Sequence, residues 1–467
     1  MLKISLRFPE EVRLGRTSSG FLQLTDSQRQ KIVGAATAEL VSELRAIASG
    51  RYSESVLTPE WAGLRNSGWL QTVIESGQGV LVRIRTFAPP APNTADPTAP
   101  LALSRFCTIR RAAQHLVLES PATGATAVIE SPDVLALLLL LATSRRPEDL
   151  KGVLPDDVLS ELLNRFAAVG FLVNSPGTEE LEVHSLQWGH HEMLFHARSR
   201  WGHRSMPEHV GPSDRLRERF PPLPSRHSFA GAEMVPLARP GSSDTDLRKP
   251  FEDVLGERRS IRVQNEENPI GVDELGKFLF RCAHVGSTFS YRGVEYSRRP
   301  YPNGGGGHEI ELYISARNVA GLTPGFYHYN AHGHHLESLA YSLELVERFS
   351  SAACRATTLD IPPQVVIVLA ARFGRLLPGY SGMGYATILK NAGVLTQTMY
   401  LVAEAMGLAP CALGNGDTDA FAQATGVSPR EESSVAEFAL GSRPLTGTPD
   451  QAPAIAPAGA KNSADGQ

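Results

Sequence analysis

The chain has 467 residues, of which 42% are hydrophobic and 20% are charged, so it can bury a large core and global disorder is excluded. Its 45 Lys and Arg residues against 49 Asp and Glu residues give a net charge of −4, which is not the bulk basic charge of a dedicated nucleic-acid binder. Four cysteines lie far apart without a CxxC pair, which excludes a disulfide scaffold and a zinc ribbon and favours a reducing compartment. The N-terminus has no apolar signal-peptide region, and the longest apolar run, residues 134–143, is roughly half a membrane span, so we expect a cytoplasmic protein.

The first 88 residues predict a small α+β domain. Apolar residues recur at three- to four-residue spacing over residues 26–48, which predicts a helix. Residues 79–86 alternate between apolar and polar side chains, as a strand does. Five prolines in residues 89–100 then predict a linker or an exposed loop.

Residues 101–190 predict a winged-helix-like domain. A hairpin is expected from residues 115–119 and 127–130, helices are expected to begin near Ser131-Pro132 and Pro155-Asp156, and a strand is expected at 171–173. Strand, helix, helix, strand is the order of a winged helix, a fold that binds DNA in some proteins and peptides in others. The second helix begins with acidic residues and has Arg165 as its only basic residue, which argues against DNA.

Residues 191–250 predict a proline-rich connector without periodicity. Its simplest interpretation is a solvated crossing between domains, and a long loop of this kind can also wrap a neighbouring subunit or a substrate. Residues 446–467, rich in Pro, Ala and Gly, predict a disordered tail.

Residues 251–445 alternate between helix and strand patterns. The strand at 364–371 is continuously apolar, which predicts burial on both faces, and the helix at 386–406 is apolar on nearly all sides, which predicts a central core or a dimer interface. The other expected elements are a helix at 272–285, a strand at 309–316, a hairpin at 327–336, a helix at 343–353 and a strand at 436–440.

Three motifs in this region point to a ligand site. Residues 258–262 (RRSIR) alternate guanidinium groups and a hydroxyl that can converge on a phosphate, although a solvated charge run has the same composition. Residues 298–308 contain four consecutive glycines, which let a backbone approach a flat ligand closely, although a flexible loop is the alternative. Residues 407–417 combine a helix exit, a strand and a glycine turn.

Together the motifs resemble the nitroreductase-like flavoproteins, and more narrowly the SagB/ThcOx (McbC-like) dehydrogenases of ribosomal peptide tailoring. The resemblance covers about residues 255–443, and the segment FHARSR at 195–200 is similar to the one that precedes the catalytic domain in that family. The matching motifs in chain order are RRSIR, RPYPNGGGG, PGFYHYN at 324–330, YATILKNAGVLTQTMYLVAEAMGL at 385–408, and Leu440-Gly441. The fold implied is α+β, with a C-terminal nitroreductase-like FMN domain, whose central mixed sheet is flanked by helices, preceded by small α+β and winged-helix-like peptide-binding domains.

The resemblance also implies FMN, held at the interface of an obligate homodimer. The expected contacts, carried over by position, are Arg258, Ser260 and Arg262 at the phosphate and ribityl chain, Pro302, Asn303 and Gly304 along the isoalloxazine, Leu413 and Gly414 at its other edge, and Arg443 closing the phosphate site.

The chain departs from the family at the catalytic pair. In the azoline dehydrogenases a Lys-Tyr pair precedes the long helix, and the corresponding residues here are Gly379 and Tyr380. Tyr380 is therefore the candidate catalytic residue, while Lys390, one helix later, is expected to face solvent or to pack. We predict no metal site, because the histidines near 332–335 lack cysteine or carboxylate partners at ligand spacing and are expected to be exposed turn residues.

The function implied is FMN-dependent oxidation of an azoline to an azole on a ribosomally made precursor peptide. The N-terminal half would hold this peptide, and other biosynthetic enzymes can be partners. Loss of the lysine favours an alternative, an FMN-dependent oxygenase or oxidase acting on a peptide side chain such as an indole. A non-catalytic scaffold that docks peptide to partner enzymes is a further alternative, and no nucleic-acid or membrane partner is expected.

Overall fold

The structure is a computed structural model that describes residues 2–26, 29–77, 79–87, 95–175, 177–200, 211, 218–241, 249–380 and 382–444. By its internal contacts the chain divides into two compact units, Met1–His209 and Val210–Gln467, and each is described by itself. Residues 89–94 of the expected linker, parts of the connector and the expected tail at 446–467 lie outside the described residues.

The first unit is built on a six-stranded sheet in the order β1-β5-β6-β10-β9-β8, with every pairing antiparallel. The strands of this unit are β1 (Lys3–Arg7), β2 (Arg13–Arg16), β3 (Phe21–Thr25), β4 (Gln30–Ala35), β5 (Gln71–Ser76), β6 (Gly79–Arg85), β7 (Leu101–Leu103), β8 (Thr108–Ala112), β9 (His115–Glu119), β10 (Thr126–Ile129) and β11 (Leu172–Asn174). Its helices are α1 (Ala38–Ala48), α2 (Pro59–Asn66), α3 (Pro132–Leu140), α4 (Asp156–Ala168), α5 (Thr178–Leu181), α6 (Val183–Leu186) and α7 (His190–Ser199).

The helix expected over residues 26–48 is wrong in its first half. β4 occupies residues 30–35 and pairs with β3, and α1 begins only at Ala38. Ile32 and Val33 are β-branched and favour a strand, while Thr37 caps the helix by accepting a hydrogen bond from the Leu40 backbone N–H at 3.3 Å. Pairing with β3 therefore outweighs the helical spacing of the apolar residues.

The two small N-terminal domains expected from the sequence share one sheet. β6, from the 1–88 segment, pairs with β10, from the 101–190 segment. Both segments also supply one core, in which Ile74 and Val82 pack with Leu137, Leu162 and Phe166. The apolar face of β5 and β6 is thus covered by α3 and α4, so the two segments share this core. The 1–88 segment also has a second core cluster of its own, which includes Leu24, Leu44 and Trp61. The expected strand, helix, helix, strand order is present as β10, α3, α4 and β11, but β11 pairs with β7.

The second unit contains a seven-stranded sheet in the order β12-β17-β16-β15-β18-β20-β19. Its strands, with the separate hairpin β13–β14, are β12 (Met234–Pro236), β13 (Ser287–Tyr291), β14 (Val294–Arg298), β15 (Ile310–Ala316), β16 (Gly325–Asn330), β17 (His335–Ala340), β18 (Val365–Arg372), β19 (Leu408–Leu413) and β20 (Glu432–Ser442). Its helices are α8 (Phe251–Glu257), α9 (Val272–Ala283), α10 (Leu343–Thr357), α11 (Phe373–Leu376), α12 (Gly384–Ala405) and α13 (Thr418–Thr425).

Every strand pairing recorded in this sheet is antiparallel. The expectation of a mixed sheet is therefore wrong on this point. β18 is an interior strand between β15 and β20, and all eight of its residues are buried, as the apolar run predicted. Alternate residues face opposite sides: Val365 and Ile367 pack in the cluster that includes α9 and α12, and Val366 and Val368 pack in the cluster that includes α10 and α13. The domain therefore has helices on both faces of one sheet.

Part of the connector is docked on the second unit, contrary to the expected solvated crossing. Within the described part, 218–241, β12 adds a strand to the sheet beside β17. Arg372 donates a hydrogen bond to the Pro224 carbonyl at 3.1 Å, and Arg375 donates one to the Leu223 carbonyl at 2.6 Å. These partners are main-chain groups distant in sequence, so periodicity gives no sign of them.

α12 has 22 residues and crosses one face of the sheet, as the apolar pattern at 386–406 predicted. Leu389 and Val394 remain exposed on its outer side, and Tyr385 is exposed near its beginning. Among the described residues, no helix is both long enough and apolar enough to span a bilayer.

Candidate functional site

The expected phosphate-binding segment, residues 258–262, lies against β19 and α12. The buried Ile261 donates its backbone N–H to a carbonyl of β19 at 2.7 Å, which fixes the segment in place. The Ser260 hydroxyl and the Tyr400 hydroxyl are 2.7 Å apart, and the Arg258 guanidinium carbon lies 5.1 Å from the centroid of the Tyr400 ring. Arg262 is half-buried two residues after Ser260. Arg258 and Ser260 therefore lie next to Tyr400.

Tyr400 links this segment to the expected flavin edge at 413–414. Its hydroxyl oxygen also accepts a hydrogen bond from the Ala412 backbone N–H at 2.7 Å. The Leu413 side chain is buried in the core, whereas Gly414 is exposed, and a Cβ added there would meet no atom within 4 Å. The sequence did not single out Tyr400, because a tyrosine in an apolar helix has no pattern that reveals its hydrogen-bond partners.

Arg443 is anchored close to the same end of α12. Its guanidinium donates to the Glu404 carboxylate at 2.7 Å and to the Leu408 carbonyl at 3.2 Å. Glu404 is buried and also accepts a hydrogen bond from Lys249 at 2.5 Å. Burial opposes ionisation of Glu404, but the hydrogen bonds from Lys249 and Arg443 hold its pKa below the ordinary value. The Arg443 side chain is thus held at Glu404, which lies one helical turn after Tyr400 on α12.

The four-glycine loop is held by a closed set of hydrogen bonds. Gly304 donates its backbone N–H to the Asn391 side chain at 2.8 Å, and Asn391 donates to the buried Glu309 carboxylate at 2.8 Å. Glu309 also accepts from Asn303 at 3.0 Å, and Asn303 accepts from the His308 backbone N–H at 3.0 Å. The alternative of a flexible loop therefore does not hold, and Asn391 and Glu309 are site residues that the motif analysis missed.

The glycines in this loop leave room for neighbouring side chains. Gly305 has a φ of 76°, and a Cβ added there would lie 2.6 Å from the Tyr380 hydroxyl oxygen. A Cβ at Gly304 would lie 2.9 Å from a methyl group of Thr387. Tyr380 is partly buried and lines a small cavity of about 80 Å³ together with Gly305 and Tyr296. Pro302 is exposed at the start of the loop. The structure thus places Tyr380 directly beside the glycine loop.

These residues form two groups on opposite sides of α12. The glycine loop contacts the helix at Asn391, and the phosphate segment contacts it at Tyr400. Nine residues of helix correspond to about 14 Å of rise and roughly half a turn beyond two full turns, so the two contacts lie on opposite faces. A single chain therefore presents two half-sites, one on each side of the helix.

The residues fit a phosphate-bearing flavin. Arg258, Arg262 and the Ser260 hydroxyl provide cations and a donor for a phosphate, with Arg443 anchored nearby. The bonded glycine loop provides a turn of backbone without side chains, where a ring can approach closely.

The histidine turn differs from the expected exposed cluster. His334 is 3% exposed, with its ring nitrogens 2.9 Å from the Tyr329 hydroxyl and 3.0 Å from the Ala238 carbonyl. His332 and His335 are half-buried. The exposed assignment is therefore wrong for His334, because the docked 218–241 segment covers it. Within the described ranges, no group of three or more His, Cys, Asp or Glu side chains is arranged to hold a metal ion.

Comparison with known proteins identifies both parts of the chain. Residues 101–205 match the family described as cyanobactin oxidase ThcOx, and residues 255–442 match the nitroreductase family. The nitroreductase-like protein MJ1384 of Methanocaldococcus jannaschii is 28% identical over 164 residues, which are 35% of this chain and 78% of that protein. The trifolitoxin-processing protein TfxB of Rhizobium leguminosarum bv. trifolii is 26% identical over 147 residues, which are 30% of this chain and 39% of TfxB.

Among solved structures, the E. coli microcin synthetase McbBCD complex with truncated pro-MccB17 bound contains a similar chain. The similarity has 19% sequence identity and a TM-score of 0.32, and it covers 54% of this chain and 91% of that chain. The match to TfxB spans less than half of that protein's length. The chain therefore joins a domain that matches the cyanobactin oxidase ThcOx family to a domain that matches the nitroreductase family.

Proposed function

We propose that this protein is an FMN-dependent oxidoreductase that converts an azoline to an azole in a ribosomally made peptide. The observation that carries the proposal is the combination of a ThcOx domain with a nitroreductase domain whose phosphate segment and glycine loop are both bonded to α12. The fold alone would fit many reductases, whereas the ThcOx match and the relative named for trifolitoxin processing favour a peptide substrate.

The flavin would be held by both half-sites. Arg258, Arg262 and Ser260 would bind its phosphate, and the loop at Asn303 and Gly304 would lie along its ring. Because one chain presents these groups on opposite faces of α12, we infer that each site takes one half from each of two copies. The exposed apolar residues of α12 offer the surface on which a second copy can pack.

The oxidation removes a hydride and a proton from the azoline ring. FMN, when bound, supplies the hydride acceptor and is reoxidised by dioxygen. The proton must go to a protein group or to water, and Gly379 has no side chain to accept it. Tyr380, whose ring lies against the glycine loop, is the residue of this chain positioned to take part in that transfer. A bound peptide would also exclude water from the small cavity beside Tyr380.

Gly379 also supports a second candidate function. Hydroxylation of a peptide side chain such as an indole needs no deprotonation of an azoline, so Gly379 in place of lysine favours an FMN-dependent oxygenase. A scaffold that docks peptide without catalysis is the third candidate.

We further propose that the first unit holds the precursor peptide and that the protein works in the cytoplasm, alone or with partner enzymes. The ThcOx match at residues 101–205 supports a role in peptide processing. The basic residue of α4, Arg165, forms ion pairs with Glu54 and Glu161, which disfavours a DNA-reading helix.

The test is to purify the protein and incubate it with an azoline-containing peptide and dioxygen. Azole formation lowers the peptide mass by about 2 Da, and hydroxylation raises it by about 16 Da. The expected result is the decrease, with FMN released on denaturation. An increase in mass would select the oxygenase, and a colourless protein that cannot be loaded with FMN would select the scaffold.

A further inference from the structure

A second cavity lies in the nitroreductase-family unit, away from the residues that contact α12. It has a volume of about 570 Å³ and opens between residues 220–227, α11 and the beginning of β20. It shares Pro222, Gly374 and Pro378 with the small cavity beside Tyr380. None of the residues assigned above to FMN lines it.

Three titratable groups form the inner wall of this cavity. Arg372 and Glu432 are opposite each other across β18 and β20, and both side chains are more than nine-tenths buried. One nitrogen of Arg372 donates to the Pro224 carbonyl, while the residue also lines the cavity. His227 stands 3.6 Å from the Glu432 carboxyl, and within the described chain its Nδ1 has no hydrogen-bond partner.

A network of buried charged groups lies behind this wall, and Arg372 belongs to it through Glu311, 3.6 Å away. Burial opposes ionisation of Glu311 and Glu337, yet Arg299 next to the first and His328 next to the second hold their pKa values at about 2, so both are carboxylates. Burial lowers the pKa of His328, but contacts with those two carboxylates raise it overall. The buried cations are Arg299, Arg372 and His328.

Glu432 differs from Glu311 and Glu337 in the direction of its pKa shift. Burial raises its pKa to about 7, so near neutral pH a large fraction is protonated. The groups that face it are Tyr313 and Glu311 on β15, His328 on β16, Arg372 on β18 and His227 on the docked segment. The Tyr313 hydroxyl donates to one carboxyl oxygen at 2.7 Å, which leaves the other oxygen directed toward His227.

We propose that this cavity is a carboxylate-binding site, in which Arg372, His227 and Glu432 hold an acidic side chain or a C-terminal carboxylate of a peptide. A buried arginine that lines a cavity favours an anion, and a carboxylate matches its planar donors. Protonated Glu432 adds a donor, and an unpartnered imidazole nitrogen adds another polar contact. Binding is independent of the flavin reaction, and only the role of anchoring a peptide substrate beside Tyr380 rests on the proposed function.

The experiment measures binding of small probes to the full-length protein by ligand-observed NMR, with FMN added. The probes are N-acetylglycine, which carries an α-carboxylate, N-acetylaspartate α-amide, which carries a side-chain carboxylate, and N-acetylglycinamide, which is uncharged. We expect at least one acidic probe to bind with a dissociation constant of about 1–10 mM, and the uncharged probe to bind at least about fivefold more weakly. The tighter acidic probe identifies the source of the carboxylate.

Two variants separate this site from the flavin site. Arg372→Gln should abolish the preference for the acidic probe, while Arg430→Gln at the exposed rim should retain it. Between about pH 6 and pH 8, ionisation of Glu432 should weaken binding to the wild type about tenfold, and Glu432→Gln should reduce this change to less than twofold. Equal affinity for acidic and uncharged probes, or an unchanged pH dependence in folded Glu432→Gln, would overturn the proposal. A protein that fails to take up FMN and still binds the acidic probe would refute the flavin function alone.

Discussion

Arg262 is the residue whose removal tests the phosphate assignment most directly. Truncation to alanine removes a charge-assisted hydrogen bond, so Arg262→Ala should weaken FMN binding by about 1.5–3 kcal/mol, or roughly 10- to 150-fold. Flavin fluorescence titration measures the change. Arg259→Ala is the matched control, because Arg259 is exposed between Arg258 and Ser260 and should have little effect. Full flavin occupancy of Arg262→Ala in dilute solution would contradict the assignment.

Tyr380 is the residue that decides between the two flavin reactions. Tyr380→Phe keeps the ring against Gly305 but removes the hydroxyl, so azoline oxidation should slow by at least about 100-fold while FMN stays bound. Tyr385→Phe, on the exposed side of α12, is the control and should be neutral. Turnover of Tyr380→Phe within about threefold of wild type would mean that the ring only packs, and it would favour the oxygenase.

The candidate ligand motifs are visible in the sequence, whereas the residues that hold them are not. RRSIR and the glycine run stand out as local patterns of cations and of glycines. Tyr400, Asn391 and Glu309 do not stand out, because each acts through a partner between 6 and 140 positions away. Periodicity shows that such residues are buried and leaves their partners unspecified.

At the scale of an element, the glycine loop depends on the space between α12 and Tyr380. Gly305→Ala would place a Cβ against the Tyr380 hydroxyl at a positive φ, so it should destabilise the loop by about 1–3 kcal/mol and reduce flavin occupancy. Gly379→Ala is the matched control, because a Cβ there meets no atom within 4 Å. Urea unfolding and flavin absorbance measure the two effects. Equal behaviour of both variants would show that the loop tolerates a side chain.

The outer side of α12 tests the inference that two copies complete the site. Val394→Glu places a charge among exposed apolar residues of this helix, so it should yield monomers that have lost FMN. Leu343→Glu, on the exposed beginning of α10 on the other face of the sheet, is the control and should remain dimeric. Light scattering measures the mass. A wild-type protein that is monomeric while saturated with FMN would refute the composite site.

The elements that the sequence predicted correctly are those with a strong local signal. β18, α9 and α12 were expected from apolar runs and helical spacing, and the structure has them. β4 was missed because its pairing with β3 is not a local property. The docking of residues 218–241 was missed because it rests on main-chain carbonyls bound by Arg372 and Arg375.

At the scale of the whole molecule, sheet partners that are distant in sequence decide the domain organisation. The proline-rich segment at 89–100 suggested a boundary, yet β6 and β10 pair across it. In the second unit, β20 pairs with both β18 and β19, so the last strand of the domain lies inside the sheet. A shift in composition marks a segment that runs outside the core. It does not show which core the chain joins after that segment.

The same sheet carries a buried carboxyl that makes the stability of the fold depend on pH. The pKa of Glu432 is raised by burial from 4.5 in the unfolded chain to about 7. Its contribution to stability is therefore fully present below pH 4.5 and is lost as the pH rises through 7. The loss should be about 3 kcal/mol between pH 4.5 and pH 8, because Glu432 is buried and little screened.

Glu432→Gln isolates this effect, since glutamine keeps the shape and the acceptor for Tyr313 but does not ionise. Burial lowers the pKa of His227 and His308 to about 4, and these groups make the fold more stable as the pH rises toward 6.5. Wild type and Glu432→Gln share the contribution of these two histidines, so the difference in stability between the two proteins reports Glu432. We expect urea unfolding to show that the stability of wild type relative to Glu432→Gln falls by about 2.5 kcal/mol from pH 5 to pH 8. A difference that stays constant across this range would mean that Glu432 is ionised in the folded protein at pH 5 and that Arg372 is already neutralised by it.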